Sequence, residues 1–384
     1  VMPPPRQPAS CAIVRSEPEV RALRDALARV AERAGAASGI VQHPDWLLYE
    51  LEWRGDIMSP YLVVARDGQG ELIGYAPMLA YRHHARVPLG GHHLPIYHGP
   101  VVRLLGEGVV AAPRHREAVE RGVADALQGD RQQRVIRIQE TTLPNALAGA
   151  LARGAGGFHS VSANMLEQRN WSIAPAASLA DYLGALGSKK RNDLARRLRN
   201  VYKKLGEDAH LRVFDMPDAM QEYTTLMNPL YARSWHAVDM PTDWTAPARL
   251  ALFRRLAAEG RVIGHLLMQG ERPVAYVHGY RMAGRYLLDD TGYDEAFAAL
   301  GVGSSLVFQV VQDLLERFPG ETIDFGYGDN QYKRVLANQQ ATCGSLYLVR
   351  GLVPRARFGV IGPVRQVYRW MHRKVRSEQA SGNG

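Results

Sequence analysis

Apolar positions recur along this chain with two periods, and the switches between them outline most of its elements. Val20, Leu23, Leu27 and Val30 return every three or four residues, which predicts a helix over Val20 to Ala34. Tyr61 to Arg82 then reads as strand, charged turn, strand, and Ala118 to Leu127 and Val135 to Gln139 read as a helix and a strand. Leu194, Leu198, Val201 and Leu205 form a narrow stripe on a second helix, with Ser188 as its cap and Gly206 as its stop. Gly264 to Met282 repeats the strand–turn–strand plan of Tyr61 to Arg82 with similar spacing, so the chain carries two related halves.

The densest pattern lies between Tyr286 and Lys333. An extended run from Arg285 ends in Asp289 and Asp290, and Thr291-Gly292 follows as a turn signal. Gly301-Val302-Gly303-Ser304-Ser305 then opens a helix whose apolar face is Leu306, Val307, Val310, Val311, Leu314 and Leu315. Pro319-Gly320 stops it, and Thr322 to Gly326 reads as the next strand. Backbone N–H groups at such a glycine turn can converge on an anion at the helix N-terminus, so Gly301 to Ser305 are candidates for holding a pyrophosphate. The same glycines would also suit a crossover unit that needs only close packing. No equivalent turn introduces the earlier helix, which points to a structural or substrate-shaping first half.

Charge sharpens this picture by its distribution. The 384 residues sum to +9, yet Ser188–Lys204 and Arg350–Gly384 each hold eight Lys or Arg against one acid, which leaves the rest of the chain at −5. A uniformly basic nucleic-acid binder is excluded. The first patch could hold carrier phosphates, an anionic substrate or tRNA, with Arg191 among its candidate contacts. In the second, Val364, Val367, Tyr368, Met371 and Val375 form a stripe opposite Arg365, Arg369, Arg373 and Lys374. That stripe either docks on its own domain or lies on an anionic membrane, and SEQASGNG beyond it should be disordered.

Two cysteines, Cys11 and Cys343, are too few for a disulfide framework, and Cys343 lacks an adjacent basic partner in sequence that would make it a nucleophile. VMPPPRQPAS does not resemble a secretory signal and no run approaches a membrane span, so a cytoplasmic setting is expected, with the inner membrane face as a place of peripheral contact. His83, His84, His92, His93 and His98 invite a zinc reading, but Pro88, Gly90-Gly91 and Pro95 suggest a loop, and no metal is expected.

Together, SKKRNDLARRLR, YLLDDTGYDEAFAALGVGSSLVFQ and DFGYGDNQYKR resemble the CelD/BcsL-type acyltransferases, a branch of the GNAT superfamily related to the FemAB aminoacyl transferases. The resemblance covers most of the chain. It implies an α/β (α+β) fold of tandem GNAT-like domains, each a mixed sheet flanked by helices. The expected division is a disordered tail at 1–10, a first domain at 11–170, a second with the donor site at 171–350, and a basic helix and tail at 351–384. One departure concerns the donor turn. GNAT enzymes generally show Arg or Gln three residues before the first loop glycine, and this chain has Ala298 there.

The implied chemistry is direct transfer from a thioester such as acyl-CoA to an amine, which requires a base, an oxyanion donor and a proton for the leaving thiolate. The expected catalytic residues are Asp290, His278, Tyr332 and Lys333. His278 shares a strand face with Val274, Tyr276 and Tyr280; a strand histidine can equally be a core residue. Asp289 and Asp290 should point to opposite faces of a regular strand. Tyr332 could protonate the thiolate and Lys333 could anchor an anion, while Asp289, Tyr327, Asp329 and Arg191 are candidates for the acceptor. Asp329 could instead cap a helix over Asn330 to Asn338. Three readings stand: an acyl-CoA-dependent N-acyltransferase acting on a small-molecule, amino acid or sugar amine, a FemAB-like enzyme taking aminoacyl groups from tRNA, and a non-catalytic scaffold of an envelope or polysaccharide pathway.

Overall fold

The computed structural model describes residues 10–35, 38–89, 92–234, 237–238 and 240–381, with side chains placed through residue 371 of the last helix. Apart from Ser10, the expected tail at 1–10 lies outside the described residues. In chain order the elements are β1 (Ser10–Val14), α1 (Glu17–Ala34), α2 (Pro44–Arg54), β2 (Met58–Pro60), β3 (Leu62–Arg66), β4 (Leu72–Ala76), β5 (Met78–Leu89), β6 (His92–Leu104), β7 (Val110–Ala111), α3 (Arg116–Gly129), β8 (Val135–Thr142), α4 (Ala146–Arg153) and β9 (His159–Ser162). There follow β10 (Gln168–Ile173), α5 (Leu179–Ala185), α6 (Ser188–Leu205), β11 (Ala209–Phe214), α7 (Met220–Ala232), α8 (Pro247–Ala258), β12 (Val262–Gln269), β13 (Arg272–Met282), β14 (Arg285–Tyr293), α9 (Val302–Arg317), β15 (Thr322–Tyr327), α10 (Gln331–Leu336), β16 (Gln339–Val349), α11 (Leu352–Gly359) and α12 (Ile361–Ser381).

The chain divides into two compact units, Val1–Arg169 with Ala341–Gly384, and Asn170–Gln340. In the first, β1 and the hairpin β3–β4 begin one antiparallel sheet that β7 completes. After Pro77 the chain continues as the long hairpin β5–β6, and β6 runs parallel to β8 once α3 has crossed over, with Val102 opposite Ile136. In the second unit, β11 to β14 are antiparallel neighbours, and β14 runs parallel to β15 once α9 has crossed over, with Arg285 opposite Thr322. Strand, two helices, antiparallel strands, crossover helix and parallel strand thus recur in one order, and the fold is a tandem of mixed α/β units.

Each unit closes on its own core. The first packs Val119, Val123 and Leu127 of α3 onto Val63, Ala65, Val102, Leu104 and Ile136. In the second, Val302, Leu306, Val307, Val310, Val311 and Leu314 of α9 pack onto Val274, Val277, Leu288 and Ile323. Fully burying one such side chain is worth about 1.5–3 kcal/mol, so the periodic stripes are sufficient reason for these helices to lie where they do.

Several expectations are corrected. His83 to His98 form a β-hairpin rather than a loop: His84 pairs with His98 in register, and their rings stack at 3.8 Å. Strand pairing of residues on both sides of Pro88 and Pro95 outweighs their turn preference. Among the described residues no group of three or more His, Cys, Asp or Glu gathers as it would to hold a metal. Thr291-Gly292 is not a turn, since β14 continues through both. Thr291 Oγ1 donates to the Tyr276 carbonyl, and a Cβ on Gly292 would meet the Tyr276 ring at 2.5 Å. The cap of α6 is Gly187, at φ 76°, with Ser188 its first helical residue. At the other end of the chain, Ser377–Ser381 of the expected disordered segment belong to α12, and 382–384 lie outside the described residues.

Candidate functional site

The parallel pair β14–β15 and the start of α9 frame the site in the second unit. A short 3-10 helix, Glu295–Leu300, carries Ala298, whose carbonyl accepts the Gly301 N–H at 2.9 Å. Gly301 is left-handed at φ 72°, ψ 32°, a conformation that costs other residues about 1–2 kcal/mol, and it turns the chain directly into α9. Val302, Gly303 and Ser304 follow as the first helical residues, whose N–H groups precede the helix's own ladder. The Ser304 hydroxyl donates to the Gly301 carbonyl at 3.2 Å, and Ser305 N–H does so at 3.1 Å, so both close the turn. Gly303 has a different reason to be glycine: a Cβ there would meet the Tyr293 ring at 2.6 Å.

Asp289 and Asp290 do not alternate as residues of a regular strand would. His278 pairs with Asp290 while the next residue, Gly279, pairs with Leu288, so Asp289 is the extra residue of a bulge in β14. This brings Asp289 Oδ2 to 3.5 Å from His278 Nε2. Asp290 Oδ1 accepts the Thr291 N–H at 2.7 Å.

His278 itself is fully buried, and among the described residues neither ring nitrogen has a hydrogen-bond partner. Its neighbours are aromatic: Trp244 at 4.6 Å between ring centroids, Phe253 at 5.6 Å, Tyr280 at 5.9 Å, Tyr223 at 6.2 Å and Tyr276 at 6.3 Å. Burial, and then the Asp290 carboxylate, push the Tyr276 phenol far above its ordinary value. Of this wall, Tyr223, Trp244 and Phe253 escape a reading of strand motifs. The density of Tyr223, Tyr231, Trp244 and Phe253 in the helical stretch before β12 is the signal that would have pointed to them.

The loop after β15 divides into two groups. Tyr332 packs edge-on to Phe325 at 6.0 Å, and its phenol is pushed up to about 12 by burial and then by the charge of Asp290. Tyr332 therefore lies within electrostatic reach of Asp290. Lys333, expected to anchor an anion, is buried and donates to the Tyr327 carbonyl at 2.7 Å and the Gly326 carbonyl at 3.4 Å. Tyr327 thus enters through its backbone. Asp329 pairs with Arg334, and Asn330 rather than Asp329 is the cap residue of α10.

Arg191 also departs from expectation, since its guanidinium lies 3.4 Å from the Leu183 carbonyl and ties α6 to α5. Elsewhere on α6, Asp193 pairs with Arg196 at 2.6 Å and Arg197 at 2.7 Å. Among the described residues no carboxylate forms an ion pair with Lys189, Lys190, Arg199, Lys203 or Lys204, and the start of this helix borders an open groove of about 920 Å³.

Residues 188–334 match the family model described as an acetyltransferase (GNAT) domain. No curated protein matches the chain. Solved structures resemble it at low identity. FemX is 10% identical with a TM-score of 0.55, over 85% of this chain and 96% of that one. A conserved protein of unknown function from Bacteroides thetaiotaomicron is 12% identical with a TM-score of 0.51, over 88% and 100%. L-PGS from Bacillus licheniformis is also 12% identical, with a TM-score of 0.51 over 91% and 97%. At these identities the structures speak for the fold, and fold and sequence match agree on a GNAT-type acyltransferase domain within residues 188–334.

Proposed function

We propose that this protein transfers an acyl group from acyl-CoA to the amine of a small-molecule, amino acid or sugar acceptor, within the CelD/BcsL-type group. The observation that carries this reading is a sequence of elements: β14 runs from the bulge at Asp289, beside His278, to Tyr293, and the short 3-10 helix Glu295–Leu300 leads from there to the Gly301 turn that opens α9. A carrier phosphate at that turn would place the thioester along β14, with the acidic and imidazole groups at its reacting end. The amine nitrogen attacks the thioester carbonyl carbon, and its proton passes to Asp290 or His278. The carbonyl oxygen gains charge that an N–H of the bulge can stabilise, because a bulge leaves the ladder locally open. As the carbon–sulfur bond breaks, Tyr332 gives its phenolic proton to the thiolate, a role suited to a phenol that stays protonated at neutral pH. With Ala298 in place of a side-chain phosphate contact, donor affinity rests on the N–H groups from Val302 to Ser304.

A second reading, transfer of an aminoacyl group from charged tRNA, is favoured by the unneutralised cations of α6. Thermal unfolding against coenzyme A, acetyl-CoA, longer acyl-CoAs and charged tRNA separates the two. A ligand at 100 to 1,000 times its dissociation constant should add about 2.7–4.1 kcal/mol of stability. A response to tRNA alone would replace the first reading with the second, and a response to neither would leave the scaffold reading.

A further inference from the structure

The last two helices carry two apolar faces, one buried and one exposed. α11 and α12 join through Val360, whose φ of −66° and ψ of −19° are helical, so their stripes run on from one helix to the next. One stripe, Pro354, Phe358 and Ile361, is buried, and Val364 packs beside it on a core that includes Ala85, Val101, Tyr347 and Val349. Of the stripe expected from the sequence, Val364 packs here, whereas Val367 and Met371 are exposed, so the docked face is not the one the spacing predicted. The other stripe repeats at seven, seven and four residues, as Val353, Val360, Val367 and Met371, and all four are exposed. Leu352, 84% exposed, and Trp370, 59% exposed, flank it. Six of the fourteen large hydrophobic side chains exposed among the described residues fall in these twenty positions.

The same stretch is cationic, with eight Lys or Arg against one acid from Arg350 to Gly384. Arg350 and Arg355 donate to carbonyls of Gln128 and Gly157, while Arg357 is exposed beside the apolar stripe. We propose that this stripe docks the protein on an anionic phospholipid surface. A helix lying in a membrane interface sinks an apolar edge among the acyl chains while its cations reach the headgroups, and both parts are present here. A second copy of this chain fits less well, because self-pairing would bring two segments of +7 together. Nucleic acid would match the charge and leave the aliphatic stripe unmatched. Among the described residues no helix is long and apolar enough to cross a membrane, so the contact is with the surface.

Sedimentation of the full chain with vesicles of phosphatidylcholine alone, and of phosphatidylcholine mixed with phosphatidylglycerol, tests this. The expected result is binding to the mixed vesicles only, weakening as salt is raised. The variant Val367→Asn, Trp370→Ser, Met371→Gln should bind them about tenfold or more weakly, with an unchanged circular dichroism spectrum. If that variant loses its fold, Leu352→Asn with Val353→Asn makes the same test on α11. No binding to mixed vesicles at low salt, equal binding to neutral ones, or full binding by the folded variants would overturn the proposal. So would variants that alter only the oligomeric state by light scattering.

Discussion

Asp289 Oδ2 stands 3.5 Å from Nε2 of His278, across the single point where β13 and β14 lose register. The bulge delivers a partly exposed carboxylate to a fully buried imidazole that has no hydrogen bond among the described residues. If this pair handles the proton of the acceptor amine, His278→Phe should lower kcat by about 100-fold or more while acyl-CoA affinity is kept. Asp289→Asn should lower kcat less and shift its pH profile. Steady-state rates and calorimetric donor binding check both, and an unchanged kcat in both variants would leave Asp290 as the base.

The two glycines of the donor turn should fail in different ways. Gly301→Ala puts a side chain on a left-handed residue and should lower stability by about 1–2 kcal/mol, measured by denaturant unfolding. Gly303→Ala should weaken acyl-CoA binding by forcing the Tyr293 ring to move, and Tyr293→Ala in the same chain should restore it. An additive loss in the double variant would show that the ring is not the obstacle.

Tyr332→Phe removes a proton while keeping the ring on Phe325. Turnover should fall by about 10²-fold or more with donor affinity unchanged, and the loss should shrink with thioesters whose thiol is more acidic. Since the phenol is held up to about 12, the wild-type rate should show no loss from Tyr332 ionisation as pH passes 10.

In the first unit, His83 shares a 2.9 Å hydrogen bond with the Tyr347 hydroxyl, and burial, then Arg137 and His84, lower it to about 4. Between pH 6.5 and 4 the unfolded chain binds a proton at this site that the folded one refuses, so stability falls with pH across that window. The fall in Tm from pH 7 to 4.5 should be smaller in His83→Gln.

Local pattern made the architecture readable. The repeated hairpins, the stripe of α9 and the glycine turn all follow from spacing within one element, and each is found where its residues predicted. Features that depend on pairing were not readable. Nothing near Asp289 announces a bulge, because register is settled jointly by β13 and β14. Thr291-Gly292 carries a turn's composition, yet Gly292 is there to admit the Tyr276 ring. Likewise, a lysine in a polar loop looks solvated until its carbonyl partners are placed, and His83 to His98 look like a loop until both strands pair.

The buried amine of Lys333 bears on how Tyr332 can act. By holding the carbonyls of Gly326 and Tyr327, it fastens the first turn of α10 to the end of β15, and Tyr332 is the adjacent residue. Displacing the backbone that carries Tyr332 would strain the hydrogen bonds of the buried Lys333 amine, which are costly to lose. The backbone of Tyr332 is therefore held in place, and its ring rests on Phe325. Its reorganisation energy is already met in folding, and differences in rate between acceptors should come from how each acceptor lies rather than from closure of the enzyme around it.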